Sequence, residues 1–251
     1  MHPILNIALR VVREAGSNIA RYYEQKKKEE KNNKLFLNET EKNMCHTINF
    51  YYPSHTIKAM DGDIKYSGNS NIEWLIAPLV GKNNFHNRIS YFAVTAAVKL
   101  KHYMEIVVVY DPIHNEVFTA TRGRGLTLNG RRMKVIHYNN INNALVATDQ
   151  CSIKTTKILE NNNFQNTDFR CTGCTLLDII YVALGRFSGC LKTQRKELDS
   201  YIIESGKLFL QESGGKNISL TIKEKKFFAC ETPKASASIT NFLKNVNACS
   251  S

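Results

Sequence analysis

Apolar residues recur at steps of three and four along the first part of the chain. This spacing places them on one face of an α-helix, as in an amphipathic helix that packs against a core. It predicts a first helix that runs to about Tyr23. The residues with this spacing are Leu5, Ala8, Val12, Ala15 and Ile19.

A run of mixed charge, Lys26 to Lys31, follows the predicted first helix. Alternating signs are typical of a solvated helix end or loop, and a contact with nucleic acid is the alternative. The segment from Thr40 to Tyr51 predicts a second helix. Pro53 ends it, because proline lacks the amide proton that a continuing helix needs.

The middle of the chain contains three runs that predict strands, at 90–100, 105–110 and 116–121. Asp111-Pro112 and His114-Asn115 place a turn between the last two runs. Short strands joined by tight turns indicate an antiparallel meander. A further turn is predicted where Leu128 is followed by Asn129-Gly130.

The second half of the chain alternates between helical and strand-like segments. Such alternation predicts a layered α/β or α+β sandwich, in which helix and sheet layers alternate. A polar stretch at 139–143 would join an N-terminal α+β half of about 1–138 to a C-terminal α/β half of about 139–251, both within one domain. The segments are a strand at 144–148, a helix at 176–183 that ends at Gly185, a helix containing 206–211 that Gly214-Gly215 closes, a strand at 227–230 and a last helix from Pro233 through Leu243.

The chain is strongly basic, with a formal net charge of +12 and a pI near 9.3. Such a surface favours polyanionic partners, such as nucleic acid, acidic proteins or phosphorylated ligands. A compositional origin is the alternative, since the abundance of Lys, Asn and Ile is typical of an A+T-rich genome. The charge therefore indicates a class of partner without identifying one.

The cysteines and the apolar runs bear on the cellular compartment. Seven cysteines are scattered along the chain, an odd number that favours reduced thiols over a disulfide framework. Cys171 and Cys174 form a lone C-x-x-C without a second pair, which argues against a zinc site. No signal sequence precedes the first helix, and no apolar run approaches the roughly 18 residues of a membrane span. We therefore expect a cytoplasmic protein with no membrane contact.

The segment from Trp74 to Phe85 reads W-L-I-A-P-L-V-G-K-N-N-F. It resembles the metal-binding loop W-x-I-D-P-L-D-G-T-T-N-F of the inositol monophosphatase family. Further blocks occur in the family's order along essentially the whole chain, among them YYPSHTI, VVVYDPIHNEVFTATRGRGLTLNG and FRCTGCTLLDIIYVALGRFSG. The blocks are most similar to the bacterial SuhB branch of that family. This resemblance implies the family's layered fold, a homodimer and, in a typical member, Mg²⁺-dependent hydrolysis of inositol 1-phosphate.

The residues that carry this chemistry in the family are replaced here. Magnesium prefers hard oxygen ligands, so the loss of several carboxylates leaves no two-metal site, and we expect no cofactor. Asp61 and Asp199 are the remaining carboxylates near ligand positions. An insertion of three residues nearby would bring Asp199 to the place of Ile202. The family's ligand and water-activating positions fall on Leu37, Met60, Ala77, Val80, Lys82 and Ile202.

The resemblance implies that a few residues of the family's substrate-binding site are retained, namely Leu79, Gly81 and Arg186. The glutamate that contacts inositol in the family falls on Lys192, which reverses the charge. The sequence therefore predicts a protein that keeps the fold and has lost the reaction. The rival hypothesis is an Mg²⁺-dependent inositol-1-phosphate phosphatase with an altered site.

The resemblance also implies a role that needs no metal. Members of the SuhB branch act as Nus factors in the antitermination complex. They join RNA polymerase, NusA and other Nus proteins there, and assist the transcription and folding of ribosomal RNA. Arg122 to Arg124 and Arg131 to Lys134 are candidate contacts with nascent rRNA or polymerase, and solvated turns are the alternative interpretation. A protein that is drifting toward loss of function remains a third hypothesis.

Overall fold

The computed structural model describes residues 3–25, 30–59, 62–133, 144–149, 167–194, 197–222 and 225–232. The chain divides into two compact units, Met1–Arg132 and Met133–Ser251. Each unit has its own sheet and its own helices and is described by itself below. The predicted junction near residue 139 lies outside the described residues.

Two long helices begin the first unit, α1 (Pro3–Glu24) and α2 (Glu30–Tyr51). The predicted first helix is confirmed, and its apolar stripe is buried. Helix α2 begins well before Thr40, so Glu30 and Lys31 of the charged run are helical. The ring of Phe36 stacks on Tyr22 of α1 at 4.1 Å between centroids. This contact between helices stabilises a polar first half of α2 that has no clear apolar periodicity of its own.

An eight-stranded sheet and the short helix α3 (Lys82–His86) form the rest of the first unit. The order of the strands in the sheet is β2-β1-β3-β4-β5-β6-β7-β8. Strands β1 and β3 are parallel, and the neighbours from β3 to β8 are antiparallel. The predicted meander is confirmed as β4, β5 and β6. The strand bounds are Thr56–Ala59, Ile64–Tyr66, Ile72–Val80, Ala93–Leu100, Tyr103–Asp111, Glu116–Thr121, Gly125–Leu128 and Arg131–Arg132 for β1 to β8.

Helices α1 and α2 cover one face of this sheet and enclose the core of the first unit. The helix and the sheet approach each other closely at Gly16, where α1 passes over Tyr110 of β5. A Cβ atom at position 16 would lie 2.3 Å from the Tyr110 ring, and the Tyr110 hydroxyl donates to Asn115 Oδ1 at 3.2 Å. The ring is thus held in place, and only glycine fits beneath it.

The change Gly16→Ala is expected to lower the free energy of unfolding by about 1–2 kcal/mol. Alanine favours a helix by about 1 kcal/mol over glycine, but the displaced ring costs about 1–3 kcal/mol. Urea denaturation followed by circular dichroism measures the difference. The exposed neighbour Ser17 provides the control, since Ser17→Ala should be neutral or slightly stabilising. A Gly16→Ala protein as stable as the Ser17→Ala protein would contradict the close approach.

The second unit has a five-stranded sheet in the order β10-β9-β11-β13-β12. Strands β10, β9 and β11 are parallel, whereas β13 and β12 run antiparallel to their neighbours. Two helices, α4 and α5, pack against each other and against the sheet. The bounds are Ala144–Ala147, Thr167–Arg170, Gly189–Gln194, Lys216–Ile222 and Lys225–Glu231 for β9 to β13, and Thr175–Ala183 and Glu197–Ser213 for α4 and α5.

Most of the sequence predictions for this unit are confirmed. The strand at 144–148, the helix that ends before Gly185, the helix closed by Gly214 and the strand at 227–230 are all present. Gly185 and Gly214 both have φ near 76°, the left-handed conformation that follows many helices. The predicted last helix after Pro233 lies outside the described residues. Strands β10, β11 and β12 were not predicted.

Candidate functional site

The segment that resembles a metal loop is mostly a strand. Its first part belongs to β3, it turns at Gly81, and it continues as the short helix α3 (Lys82–His86). From Trp74 to Ala77 it is paired residue by residue with β4. The pairing becomes irregular between Ala77 and Val80, which moves the end of β3 out of the regular ladder.

Side chains of the first unit hold this segment in shape. Trp74 is fully buried, and its Nε1 donates to Nδ1 of His55 at 3.0 Å. Asn84 is buried in α3 and donates to the Tyr91 carbonyl at 2.7 Å. Gly81 has φ of 90°, and a Cβ there would lie 3.1 Å from the Tyr91 oxygen. Each of these contacts is made between protein atoms within the first unit.

The hydrogen bond from Trp74 requires His55 to be unprotonated at Nδ1. His55 also stacks on Tyr52 at 4.6 Å, and its burial lowers its pKa below the usual 6.5. The neutral imidazole is thus the folded form, whereas the unfolded chain takes up a proton near pH 6.5. The stabilising contribution is complete above that pH and is lost as the pH falls through the lower pKa of the folded state.

We therefore expect the first unit to lose stability as the solution is acidified below about pH 6.5. The change His55→Gln should flatten this pH dependence, because glutamine takes up no proton. Urea denaturation at several pH values measures the effect for both proteins. The exposed His86 serves as the control, and His86→Gln should leave the pH dependence unchanged. Equal slopes for the wild-type and His55→Gln proteins would contradict the assignment.

The two loop positions that carry aspartate in the family lie at the irregular end of β3. Ala77 is 8% exposed and pairs with Thr95, and Val80 is 6% exposed and pairs with Ala93. Leu79 between them is also buried. The side chains of Ala77 and Val80 offer no oxygen atom to a cation. Their burial makes this end of the strand part of the apolar interior.

Two further predicted positions of the first unit that the structure describes carry no acidic group. Leu37 is half-buried on α2 and packs against the core, and Lys82 is exposed at the start of α3. Met60 and Asp61 lie outside the described residues.

In the second unit, Ile202 is buried on α5. Asp199 belongs to the same helix, and its side chain is outside the described part. Arg186 is exposed after α4, and its guanidinium lies over the Tyr181 ring at 4.7 Å from the centroid. That contact supports a structural role for Arg186.

A profile of the inositol monophosphatase family matches residues 1–244. The chain belongs to the inositol monophosphatase family. The resemblance seen in the sequence blocks is thereby confirmed.

Relatives of known name are similar along most of their length. The protein Nus factor SuhB of Escherichia coli K12 is 36% identical over 228 residues, which cover 86% of this chain and 84% of the relative. The protein of the same name from Buchnera aphidicola of Acyrthosiphon pisum is 37% identical over 228 residues, with 85% of each chain covered.

Solved structures confirm the layered fold expected of the family. The extragenic suppressor protein SuhB of Bartonella henselae superimposes with a TM-score of 0.76 at 23% identity, covering 93% of this chain and 95% of that one. The staphylococcal IMPase-II superimposes with a TM-score of 0.80 at 18% identity, covering 99% of this chain and 96% of that one. Within the described part of the chain, no helix is both long enough and apolar enough to cross a membrane.

The inositol monophosphatase family implies Mg²⁺ ions, and the donor atoms present here do not fit them. Magnesium requires near-octahedral oxygen coordination with carboxylate ligands. The described family positions instead carry Leu37, Ala77, Val80, Lys82 and Ile202. Among the described residues, no group of three or more His, Cys, Asp or Glu is arranged to hold a metal. No catalytic step through a metal can be derived from these residues.

The second unit of this family member contains a buried ionic network. Lys192 of β11 is 3% exposed, and its Nζ lies 2.7 Å from Oδ2 of the fully buried Asp178. Lys192 also donates to the Thr148 carbonyl at 2.6 Å, and the Thr172 hydroxyl donates to Asp178 at 2.6 Å. Asp178 lies in the first turn of α4, where the helix dipole favours a negative charge.

The surroundings keep Lys192 charged. Burial disfavours its ammonium group, but the negative potential of Cys190 and Asp178 outweighs this effect and raises the pKa of Lys192. Lys192, at the position that resembles the family's inositol-contacting glutamate, therefore links β11 to α4 through its ion pair with Asp178. The sequence identified Lys192 as a charge reversal but missed its partner. An aspartate within the apolar run Leu176 to Ile180 was the available signal, because such a charge needs a buried partner.

Proposed function

We propose that this chain is a non-catalytic Nus factor that works with RNA polymerase and other Nus proteins in ribosomal RNA transcription. The observation that carries the proposal is the 36% identity to Nus factor SuhB of E. coli across 86% of this chain. A match over that length includes residues of both units. A role in assembly needs those surfaces rather than a metal site, so it is compatible with the replaced carboxylates.

The apolar strand end supports the non-catalytic part of the proposal. Carboxylates clustered without metal repel one another and are costly to desolvate. Ala77 and Val80 avoid both costs and pack into the interior. Each lost anionic ligand would remove several kcal/mol, as an order of magnitude, from metal binding and transition-state stabilisation.

The charge of the chain supports partners that include nascent rRNA. The net charge is +12, and Arg124, Arg131 and Arg132 are exposed at the β8 edge of the first sheet. Exposed arginines at an edge bind phosphates without reading a sequence. Arg122 is less available, because it pairs with Glu105 at 3.2 Å and lies over the Tyr103 ring. A homodimer in the cytoplasm is part of the same proposal.

A pull-down with purified NusA and RNA polymerase tests the interaction. The protein should retain NusA or polymerase at low salt, and it should increase read-through in a reconstituted antitermination assay on an rRNA leader template. The triple change of Arg124, Arg131 and Arg132 to Gln should weaken the RNA-dependent part of the binding and reduce its salt dependence. Absence of both binding and read-through would overturn the Nus-factor role and favour a protein that has lost its partners.

Membership of the inositol monophosphatase family favours one second candidate, a residual Mg²⁺-dependent phosphatase. An assay with inositol 1-phosphate and millimolar Mg²⁺ separates the two. We expect no phosphate release above background. Turnover that Asp61→Asn abolishes would establish the phosphatase and overturn the non-catalytic assignment.

A further inference from the structure

A cleft of about 640 Å³ lies between α1 and α2 on the first unit. The described residues that line it come from these two helices, and the strand end at Ala77 and Val80 does not contribute to it. The volume falls within the range of about 300–1,000 Å³ that is usual for small-molecule sites. The size alone thus allows a ligand as large as a nucleotide.

Small side chains on α1 leave the space for this cleft. Ala15 and Ser17 line the cleft, and larger side chains at these positions would fill the gap between the helices. Val11 and Met44 form an apolar floor, and both are almost fully buried. A planar, partly apolar group such as a base could lie on that floor.

The rim of the cleft is basic. Arg13 and Arg21 line it from α1 and are exposed, and neither forms an ion pair with another described residue. They lie about 12 Å apart along the helix axis, at a rise of about 1.5 Å per residue. The acidic group of the cleft, Glu14, is already paired with Arg10 at 2.8 Å. Two guanidinium groups without an acidic partner among the described residues therefore line the same cleft.

Neutral hydrogen-bonding groups lie between the two arginines. Asn18 of α1 and Asn43 and Thr47 of α2 line the cleft and offer amide and hydroxyl groups. Guanidinium groups form paired, charge-assisted hydrogen bonds with phosphate oxygens. Two of them, about two helical turns apart, suit a ligand that carries more than one anionic group.

We propose that the cleft between α1 and α2 binds a nucleotide-sized organic diphosphate, with Arg13 and Arg21 on its phosphates. The apolar floor takes the base, and the Asn and Thr side chains orient the sugar. The proposal is independent of the Nus-factor role, because it uses neither the strand end nor the arginines of the β8 edge.

Isothermal titration of the full chain with ADP, at low ionic strength and without Mg²⁺, tests the proposal. We expect saturable binding that weakens as salt is added. The double change Arg13→Gln/Arg21→Gln should reduce the affinity at least about tenfold, since both charge-assisted contacts are lost. Adenosine, which has no phosphate, should show no saturable binding.

The control is Lys216→Gln/Lys226→Gln, which removes the same number of positive charges from exposed side chains of the second unit, outside the cleft. It should leave ADP binding unchanged, and thermal melting should confirm that all the variants are folded. ADP binding that survives in the double variant would place the ligand elsewhere and overturn the proposal. So would a single-stranded RNA that binds through Arg13 and Arg21 when ADP does not, because the cleft would then be a nucleic-acid contact. Absence of saturable ADP binding to the wild-type protein would also overturn it.

Discussion

Replacing Lys192 by methionine is expected to lower the free energy of unfolding by about 3–5 kcal/mol. Asp178 is fully buried, and Lys192 is its ionic partner at 2.7 Å. Without the ammonium group, the buried carboxylate keeps the hydrogen bond from the Thr172 hydroxyl but loses the positive charge that faces it at 2.7 Å. The Thr148 carbonyl loses a donor as well. Urea denaturation of the wild-type and variant proteins measures the loss.

Two further variants identify the cause. The double change Lys192→Met/Asp178→Asn removes both charges together and should recover a large part of the lost stability, because the Asp178 carboxylate is no longer buried without the ammonium group. Lys226→Met is the matched control on the neighbouring strand β13, where the side chain is exposed, and its effect should be within about 0.5 kcal/mol. If Lys192→Met costs no more than Lys226→Met, the network is not stabilising the second unit.

Restoring an acidic residue in the metal-loop segment, by Val80→Asp, is expected to destabilise the first unit by about 2–4 kcal/mol near neutral pH. Val80 is 6% exposed at the end of β3, so the new carboxylate would lose most of its hydration. Burial raises the pKa of such a group above its unfolded value. The folded state then binds the extra proton at low pH, so the cost should shrink as the pH falls toward about 4.

The melting temperature of this variant with and without Mg²⁺ tests whether it binds the metal. If the other ligands are lost, millimolar Mg²⁺ should leave the melting temperature of the Val80→Asp protein unchanged. Val80→Thr keeps the side-chain shape and adds a neutral polar group, so it controls for the loss of apolar character. It should cost less than Val80→Asp near neutral pH, with little pH dependence. A melting temperature that rises with Mg²⁺ would show that enough ligands remain for a metal site, and would contradict the interpretation of a fully degenerate site.

The sequence predicted best those elements whose evidence is local. Helix α1 follows from apolar spacing, and the meander of β4 to β6 follows from alternating runs and the turn at Asp111-Pro112. The first half of α2 was missed because it is held by the stacking of Phe36 on Tyr22 in another helix. Strands β10 and β11 were missed because their short segments gain stability from pairing with neighbours that are distant along the chain. Strand β12 was also missed, although it pairs with β13, the next strand along the chain.

The resemblance to the family located the candidate site along the sequence. It did not show which of the side chains are buried or what they contact. The residue types at 77, 80 and 192 follow directly from the sequence, and they exclude carboxylate ligands at those positions. Whether the replacements face water or the interior cannot be obtained from their identity. Only the structure shows that Val80 is buried and that Lys192 points to Asp178.

By itself, the sequence determined the family, the basic charge, the first helix and the replacement of the metal ligands, because these depend on residue identity and on contacts between near neighbours. The tertiary structure alone decided that the metal-loop segment is a strand end, that Lys192 and Asp178 form a buried pair, and that Arg13 and Arg21 line one cleft with α2. Each of these brings together groups from different elements. Burial and ionic pairing depend on distances through space, and those distances are established only when the chain has folded.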